Sequence, residues 1–209
     1  MNTMLNSAVR LTLATWLLFG LAYPLAVTGI AQLAFPRQAN GSLIAGPGGA
    51  PLGAAQVGQN WVGAGWFHGR PSATTDTDPK DPSKTIPAPY NAASSNGSNL
   101  GPTSQALHDR LFTDRKALLK DLPGIQTLPA DMLTSSASGL DPDISPANAL
   151  MQAPRVAAAR ALPLEQVQAL IATHTVGRTF GVFGEPRINV LSLNMALQSW
   201  QAAKPQQTK

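Results

Sequence analysis

No cysteine occurs in the 209 residues. That excludes disulfides, thiolate metal sites and cysteine nucleophiles. A cysteine-free domain tolerates an oxidising compartment, but the absence alone does not place it there. Charge is also scarce, at 12% of residues, about half the usual share. The net charge of +4 is spread over separate arginines, Arg70, Arg110, Arg115, Arg155, Arg160, Arg178 and Arg187, with acids between them. No basic run exists, so nucleic acid is a poor partner. Three chemical signatures are missing: a Gly-rich phosphate loop ending in Lys-Ser/Thr, His-Glu-x-x-His and Gly-x-Ser-x-Gly. There is no internal repeat.

One stretch lacks charge altogether. From Leu11 to Phe35 the chain reads LTLATWLLFGLAYPLAVTGIAQLAF, bounded by Arg10 and Arg37. As a helix it reaches roughly 38 Å, enough for a hydrocarbon core of ~30 Å. In lipid each backbone polar group needs an internal partner, so the run must be helical. Pro24 removes one such bond and is expected to kink it mid-span. Two other readings are a cleaved signal peptide and a buried core helix. The run is too long for the apolar core of a signal peptide, and Ile30–Pro36 offers no clean small-x-small site. A soluble core helix of this length is unusual. The α-amine and Arg10 before the run, against Arg37 after it, favour the N-terminus inside. The expected layout is a cytoplasmic N-terminus (1–10), a transmembrane helix (11–35), an accessory domain outside the cytoplasm (36–200) and a flexible tail (201–209).

Glycine and proline are abundant, 18 of each, which fits a domain with long ordered loops. Ser42–Ala45 reads as a short strand. Val57–Phe67 reads as a strand entering a turn, with Trp61, Trp66 and Phe67 in the core. Thr74–Gly101 has no periodicity and reads as one long loop, functional or disordered. A helix is expected over Thr103–Leu122, with Leu107, Leu111, Leu118 and Leu122 on one stripe, Arg110 paired to Asp114, and Leu122-Pro123-Gly124 as its stop. Asp131–Ser138 reads as a helical turn leading into a strand. Ser145 caps a helix from Pro146 to about Ala161, bent or broken at Pro154. The next helix starts at Pro163 and stops at Gly177. Thr179–Phe183 reads as a strand, and Gly184–Arg187 as a turn. The last helix, Asn189–Trp200, is capped by Asn189, with Val190, Leu193, Leu197 and Trp200 facing inward. The fold class is mixed α/β: one N-terminal transmembrane helix plus a compact extracytoplasmic α+β domain.

Candidate chemistry is thin. His68 and His174 could share a metal, but their spacing matches no defined zinc signature. His108 beside Asp109 reads as solvated. Ser138, His174 and Asp141 could form a hydrolase triad, against the plainer account of turn residues and a histidine at the negative end of a helix dipole. Residues 95–101 offer oxygens to a hard cation, yet lack the acidic side chains for strong calcium binding. Arg70, Arg155, Arg160, Arg178 and Arg187 each stand near Gly or Pro. Bracing of loops, through carbonyl oxygens and the carboxylates of Asp141, Asp143 and Glu185, explains them better than anion binding.

The motifs GSLI (41–44), VGQ (57–59), WFHGRPSA (66–73), YN (90–91), SNGSNLGP (95–102), LTSSASGLDPDISP (133–146), QAPRVAAAR (152–160) and HTVGRTFGVFGEPRINVLSLNMAL (174–197) change the picture. Together, in register over about residues 5 to 200, they resemble the C subunit (KdpC family) of the bacterial Kdp high-affinity potassium-transporting P-type ATPase. Departures are few: Trp66 stands where tyrosine is common, Asn96 where glycine is, and Asp143 where histidine is. A role resting on that histidine is closed to this chain.

The resemblance implies a non-catalytic accessory subunit in the cell inner membrane, with a single pass and a periplasmic C-terminal domain. The implied partners are a potassium-translocating subunit, an ATP-hydrolysing P-type subunit, a very small membrane peptide and membrane lipid. The family is described as a catalytic chaperone that raises ATP affinity in the hydrolysing subunit. ATP and potassium would then be handled by the complex, with no cofactor held by this chain. A nucleotide-binding module inside the cell and a membrane-tethered periplasmic hydrolase are the alternatives. The partner-facing surface is expected at His68, Gly69, Arg70 and Pro71, at Ser98, Asn99 and Gly101, and at Gly184, Glu185, Arg187 and Asn189.

Overall fold

The computed structural model describes residues 2–120, 122 and 124–203. The chain divides into two units, Met1–Ala54 and Ala55–Lys209.

In the first unit, α1 (Asn2–Thr15) passes through a π-helical stretch, Trp16–Ala22, into α2 (Tyr23–Ala34). The continuous helix Thr3–Ala34 is long and apolar enough to cross a membrane, and none of its apolar window is buried. It begins well before Leu11, because residues 2–10 contain no helix breaker. The Tyr23 N–H bonds the Leu18 carbonyl five residues back. This wider turn comes just before Pro24, whose missing N–H and ring would disturb a regular α-helical ladder. At Phe35 the backbone leaves helical geometry (φ −137°), as expected before Pro36. A single turn, α3 (Pro36–Ala39), leads to β1 (Leu43–Ala45), which pairs antiparallel with β2 (Pro51–Ala54).

The second unit opens without a strand: Val57–Phe67 is loop and turn. Its backbone makes single bonds in place of a ladder, such as the Gly58 N–H to the Leu140 carbonyl at 2.8 Å. Phe67 is fully buried, whereas Trp61 is only partly buried against the core. Trp61 and Trp66 lie 4.8 Å apart, and the Arg160 guanidinium sits 4.1 Å over the Trp66 ring.

The segment expected to be one structureless loop contains a hairpin, β3 (Thr75–Asp78) with β4 (Asp81–Pro87). Both strands are polar and largely exposed, so hydrophobic alternation could not reveal them. Next comes α4 (Gln105–Lys120), carrying the Arg110–Asp114 pair at 3.3 Å. Pro123, expected in its stop signal, lies outside the described residues. A 3-10 turn at Ala130–Met132 follows, without the strand expected after it. The strand instead is β5 (Asp143–Ile144).

Ser145 Oγ accepts the Asn148 N–H and caps α5 (Pro146–Ala159), which runs on through Pro154 and buries Ala149, Ala153 and Val156. In α6 (Leu164–His174), Val167 and Ile171 face the core. Its end is made by extended Thr175, not by a left-handed Gly177. The expected strand at Thr179–Phe183 is a tight loop closed by one bridge between those two residues. β6 (Ile188–Asn189) pairs antiparallel with β5. Asn189 Oδ1 then accepts the Ser192 N–H and caps α7 (Val190–Ala203), which buries Val190, Leu193 and Leu197. Helix thus continues into the tail expected over 201–209, whose residues 204–209 lie outside the described ones. The core is the junction of α5, α6 and α7 with Phe67, Ile144 and Ile188. Mixed α/β is the fold class, with three two-stranded sheets among the described residues.

Candidate functional site

Two buried amides fix the segment 67–68. Asn194, fully buried on α7, accepts the Phe67 N–H and donates to the Phe67 carbonyl, both at 2.9 Å. Gln152 on α5 does the same for His68, at 2.8 and 2.9 Å. A side-chain amide mimics the edge of a strand, so this loop is held as if paired in a sheet.

The next residues are fixed from the other side. Tyr90 Oη donates to the Arg70 carbonyl at 2.7 Å, and the Arg70 guanidinium binds Asp141 at 2.9 Å and the Thr134 carbonyl at 3.3 Å. A Cβ on Gly69 would collide with the Tyr90 hydroxyl. Ser72 Oγ donates to the Gly139 carbonyl (2.7 Å) and accepts the Tyr90 N–H (3.0 Å). Loops 66–74, 88–97 and 134–141 are therefore laced by polar side chains instead of regular structure. Burial and nearby Asp141 push the Tyr90 phenol up to about 12, against the pull of Arg70.

A parallel arrangement lies along β5 and β6. Arg187 pairs with Asp143 at 3.2 Å, and Asn189 Nδ2 donates to the Ala55 carbonyl at 2.8 Å. Burial raises the Asp143 carboxyl above its usual range, Asp141 adds to the rise, and Arg187 and Asn189 oppose it. Asp131 accepts the Ser145 N–H (2.7 Å), the Ser145 hydroxyl (3.0 Å) and Asn148 Nδ2 (3.0 Å), tying the 3-10 turn to the start of α5.

Arg70, Asp131, Asp141, Asp143, Gly184, Glu185 and Arg187 line one open groove of about 570 Å3. Of the expected partner-facing residues, tertiary structure thus brings Arg70 together with Gly184, Glu185 and Arg187, whereas His68 and Gly69 line a separate cleft and Asn189 another. Ser98, Asn99 and Gly101 do not line this groove. Asn99 and Gly101 are exposed, Ser98 is half-buried, and Asn99 holds a left-handed backbone (φ 52°) with Nδ2 3.3 Å from Asn96 Oδ1. Pro71 is half-buried beside Arg70.

The bracing expected of the arginines is what the structure contains. Arg155 donates to the Gly63, Ala64 and Trp66 carbonyls and Arg160 to that of Gly65. Arg178 binds Glu185 at 2.7 Å. The two histidines do not converge. His68 Nε2–H donates to Gly63 (2.9 Å) beside a separate cleft of about 290 Å3, while His174 Nδ1–H donates to Leu170 (2.9 Å). Burial holds His68 below its ordinary value, with Arg155 assisting and the Gly63 bond opposing.

No triad forms from Ser138, His174 and Asp141. Ser138 Oγ accepts the Leu140 N–H, Asp141 serves Arg70 and the Asp143 N–H, and His174 bonds its own helix. Sequence reasoning passed over Tyr90, Asn148, Gln152 and Asn194. For Asn148, Gln152 and Asn194 the available signal was a polar residue on the apolar stripe of a helix, because such a side chain must find a buried partner; Tyr90, in a loop, offered none.

Residues 5–199 match the family model described as KdpC, K+-transporting ATPase, c chain. A protein of Methylobacterium nodulans named potassium-transporting ATPase KdpC subunit is 55% identical over 193 residues, covering 92% of this chain and 95% of the relative. Relatives of the same name from Rhodopseudomonas palustris and Methylorubrum populi are 54% and 53% identical, covering 93% and 94% of this chain and 97% of each relative. With a family match over nearly its whole length and relatives at this identity, the chain belongs to the KdpC family, the c chains of K+-transporting ATPases.

Proposed function

We propose that this chain is a non-catalytic accessory subunit of an ATP-driven potassium importer of the Kdp type. Family membership carries the reading. The helix Thr3–Ala34 anchors the chain in the inner membrane. Its N-terminus is cytoplasmic and the domain over 36–200 is periplasmic, in keeping with the charge balance about the anchor. The domain docks on the outer face of the potassium-translocating subunit and holds it together with the P-type ATP-hydrolysing subunit and the small membrane peptide. His68–Pro71, Ser98–Gly101 and Gly184–Asn189 form the partner-facing surface. The groove lined by Arg70, Glu185 and Arg187 supports this assignment, because laced loops offer a stiff surface that loses little freedom on docking.

A domain on that side cannot touch cytoplasmic ATP. Any rise in ATP affinity of the hydrolysing subunit is then a coupling between distant sites, transmitted through the complex.

Protease added to intact spheroplasts tests the placement. The domain should be cut before lysis; protection until lysis would overturn the periplasmic reading. For the surface, Arg70→Ala and Asn99→Ala should weaken co-purification with the other subunits while the chain stays folded. Undiminished co-purification of both would remove these loops from the interface.

A further inference from the structure

The loop between α6 and β6 carries an apolar tip. Val176 and Arg187 exchange backbone hydrogen bonds at 2.9 and 3.0 Å, and Thr179 and Phe183 do so at 2.8 and 2.9 Å. Beyond that second pair the chain turns through Phe180, Gly181 and Val182. Phe180 is 90% exposed, and Val182 and Phe183 are more than half exposed. Phe180 and Gly181 both have positive φ, 54° and 75°. Such a turn suits Asn or Gly at its first central position, and a bulky side chain there is strained. The fold thus holds a phenylalanine outward in a conformation it disfavours, on a frame closed by four backbone bonds.

Charge and area narrow the occupant. Arg178 is bound to Glu185 at 2.7 Å and Arg187 to Asp143 at 3.2 Å. Both flanking arginines are thus already paired with an acid, at partly exposed positions, and neither is the unpaired base that an anionic lipid surface would recruit. One valine and two phenylalanines offer too little area for a self-standing dimer, whose interface takes about 800 Å2 from each partner. They suit the few aromatic anchors that dominate a larger interface. Moreover, the stem of the loop, Gly184–Arg187, lines the groove that also contains Arg70.

We propose that Phe180, Val182 and Phe183 form a preformed plug that inserts into an apolar recess on a membrane-embedded protein subunit of the same ATPase. The inference rests on the accessory-subunit reading and names the anchor residues of its interface. The strain at Phe180 is the stability this chain gives up to present them.

The test uses the full chain co-expressed with the other subunits. Phe180 is replaced by the photo-crosslinking amino acid p-benzoylphenylalanine, and Val62, 70% exposed and distant in sequence, by the same residue as a control. Irradiation should couple position 180 to a protein subunit of the complex at least tenfold more than position 62. A second variant, Phe180→Asn, relieves the backbone strain. It should melt at a higher temperature than the parent chain yet retain about tenfold less partner after washing. Crosslinks only to lipid, or only to a second copy, would overturn the proposal, as would Phe180→Asn retaining its partners in full. Loss of the plug contact while the parent chain still co-purifies sinks this inference alone. A parent chain that fails to co-purify sinks the accessory-subunit reading as well.

Discussion

The Tyr90 hydroxyl donates to the backbone carbonyl of Arg70 at 2.7 Å. Tyr90 itself holds a left-handed backbone, φ 62°, between the β4 strand and the Asn91 turn. Its ring fills the space above Gly58 and Gly69, where no side chain fits. One aromatic thus sets the path of the segment whose guanidinium binds Asp141. Tyr90→Phe keeps the ring and loses the bond. It should cost about 1 kcal/mol in denaturant unfolding of the detergent-solubilised chain. Gly69→Ala should cost more, because a methyl group there displaces the ring.

Asn194→Ala should be among the most damaging single changes. The amide satisfies both backbone groups of Phe67, in a site with no solvent exposure. Removal leaves two buried groups without partners, for about 3 kcal/mol. Thermal unfolding should show the loss, and Asn194→Asp should recover at most part of it, since a carboxylate accepts but does not donate.

Gly139 has φ 68°, and a Cβ there would meet the Asn96 carbonyl and Thr74 Cγ2 at 2.6 Å each. Gly139→Ala combines a left-handed backbone penalty of ~1 kcal/mol with these collisions. Loss of stability should therefore clearly exceed 1 kcal/mol, with the loop network around Ser72 loosening first. Faster amide exchange at Tyr90 and Asn96, whose N–H groups bond Ser72 Oγ and the Ser138 carbonyl, would report it.

Acid should destabilise the chain partly through His68. Burial holds its ring below the ordinary 6.5. As pH falls through 6.5, the unfolded state takes up a proton that the folded state still refuses. The unfolded state then binds more protons, and stability falls with pH until the folded ring titrates as well. Asp143 acts at lower pH and in the opposite sense, since its raised carboxyl is protonated first in the folded state. In His68→Gln the midpoint temperature should decline less steeply below 6.5 than in the parent chain. An identical slope would remove His68 as a source of acid sensitivity.

How much was legible beforehand depended on the kind of signal. The membrane-length helix was visible because charge is absent between Arg10 and Arg37, and such a helix is legible from length and composition alone. Ser145 and Asn189 were readable as caps, because capping is settled within three residues of sequence. The five arginines were readable as braces, because few other partners suit a guanidinium among Gly/Pro loops. By contrast, the β3–β4 hairpin lacks an apolar face and left no pattern. Thr179–Phe183 alternates enough to suggest a strand, but with nothing to pair beyond Val176–Arg187 it closes on itself as a turn.

Sequence by itself determined the membrane-length apolar helix, the other long helices and the family, since each is written in local composition or contiguous motifs. Only the tertiary structure decided that Arg70 and Arg187, far apart in the chain, share one groove through Asp141 and Asp143. It also decided that Gln152 and Asn194 grip the backbone of a distant loop. The physical reason is that buried polar groups choose partners by position in space, and spacing along the chain does not encode that choice.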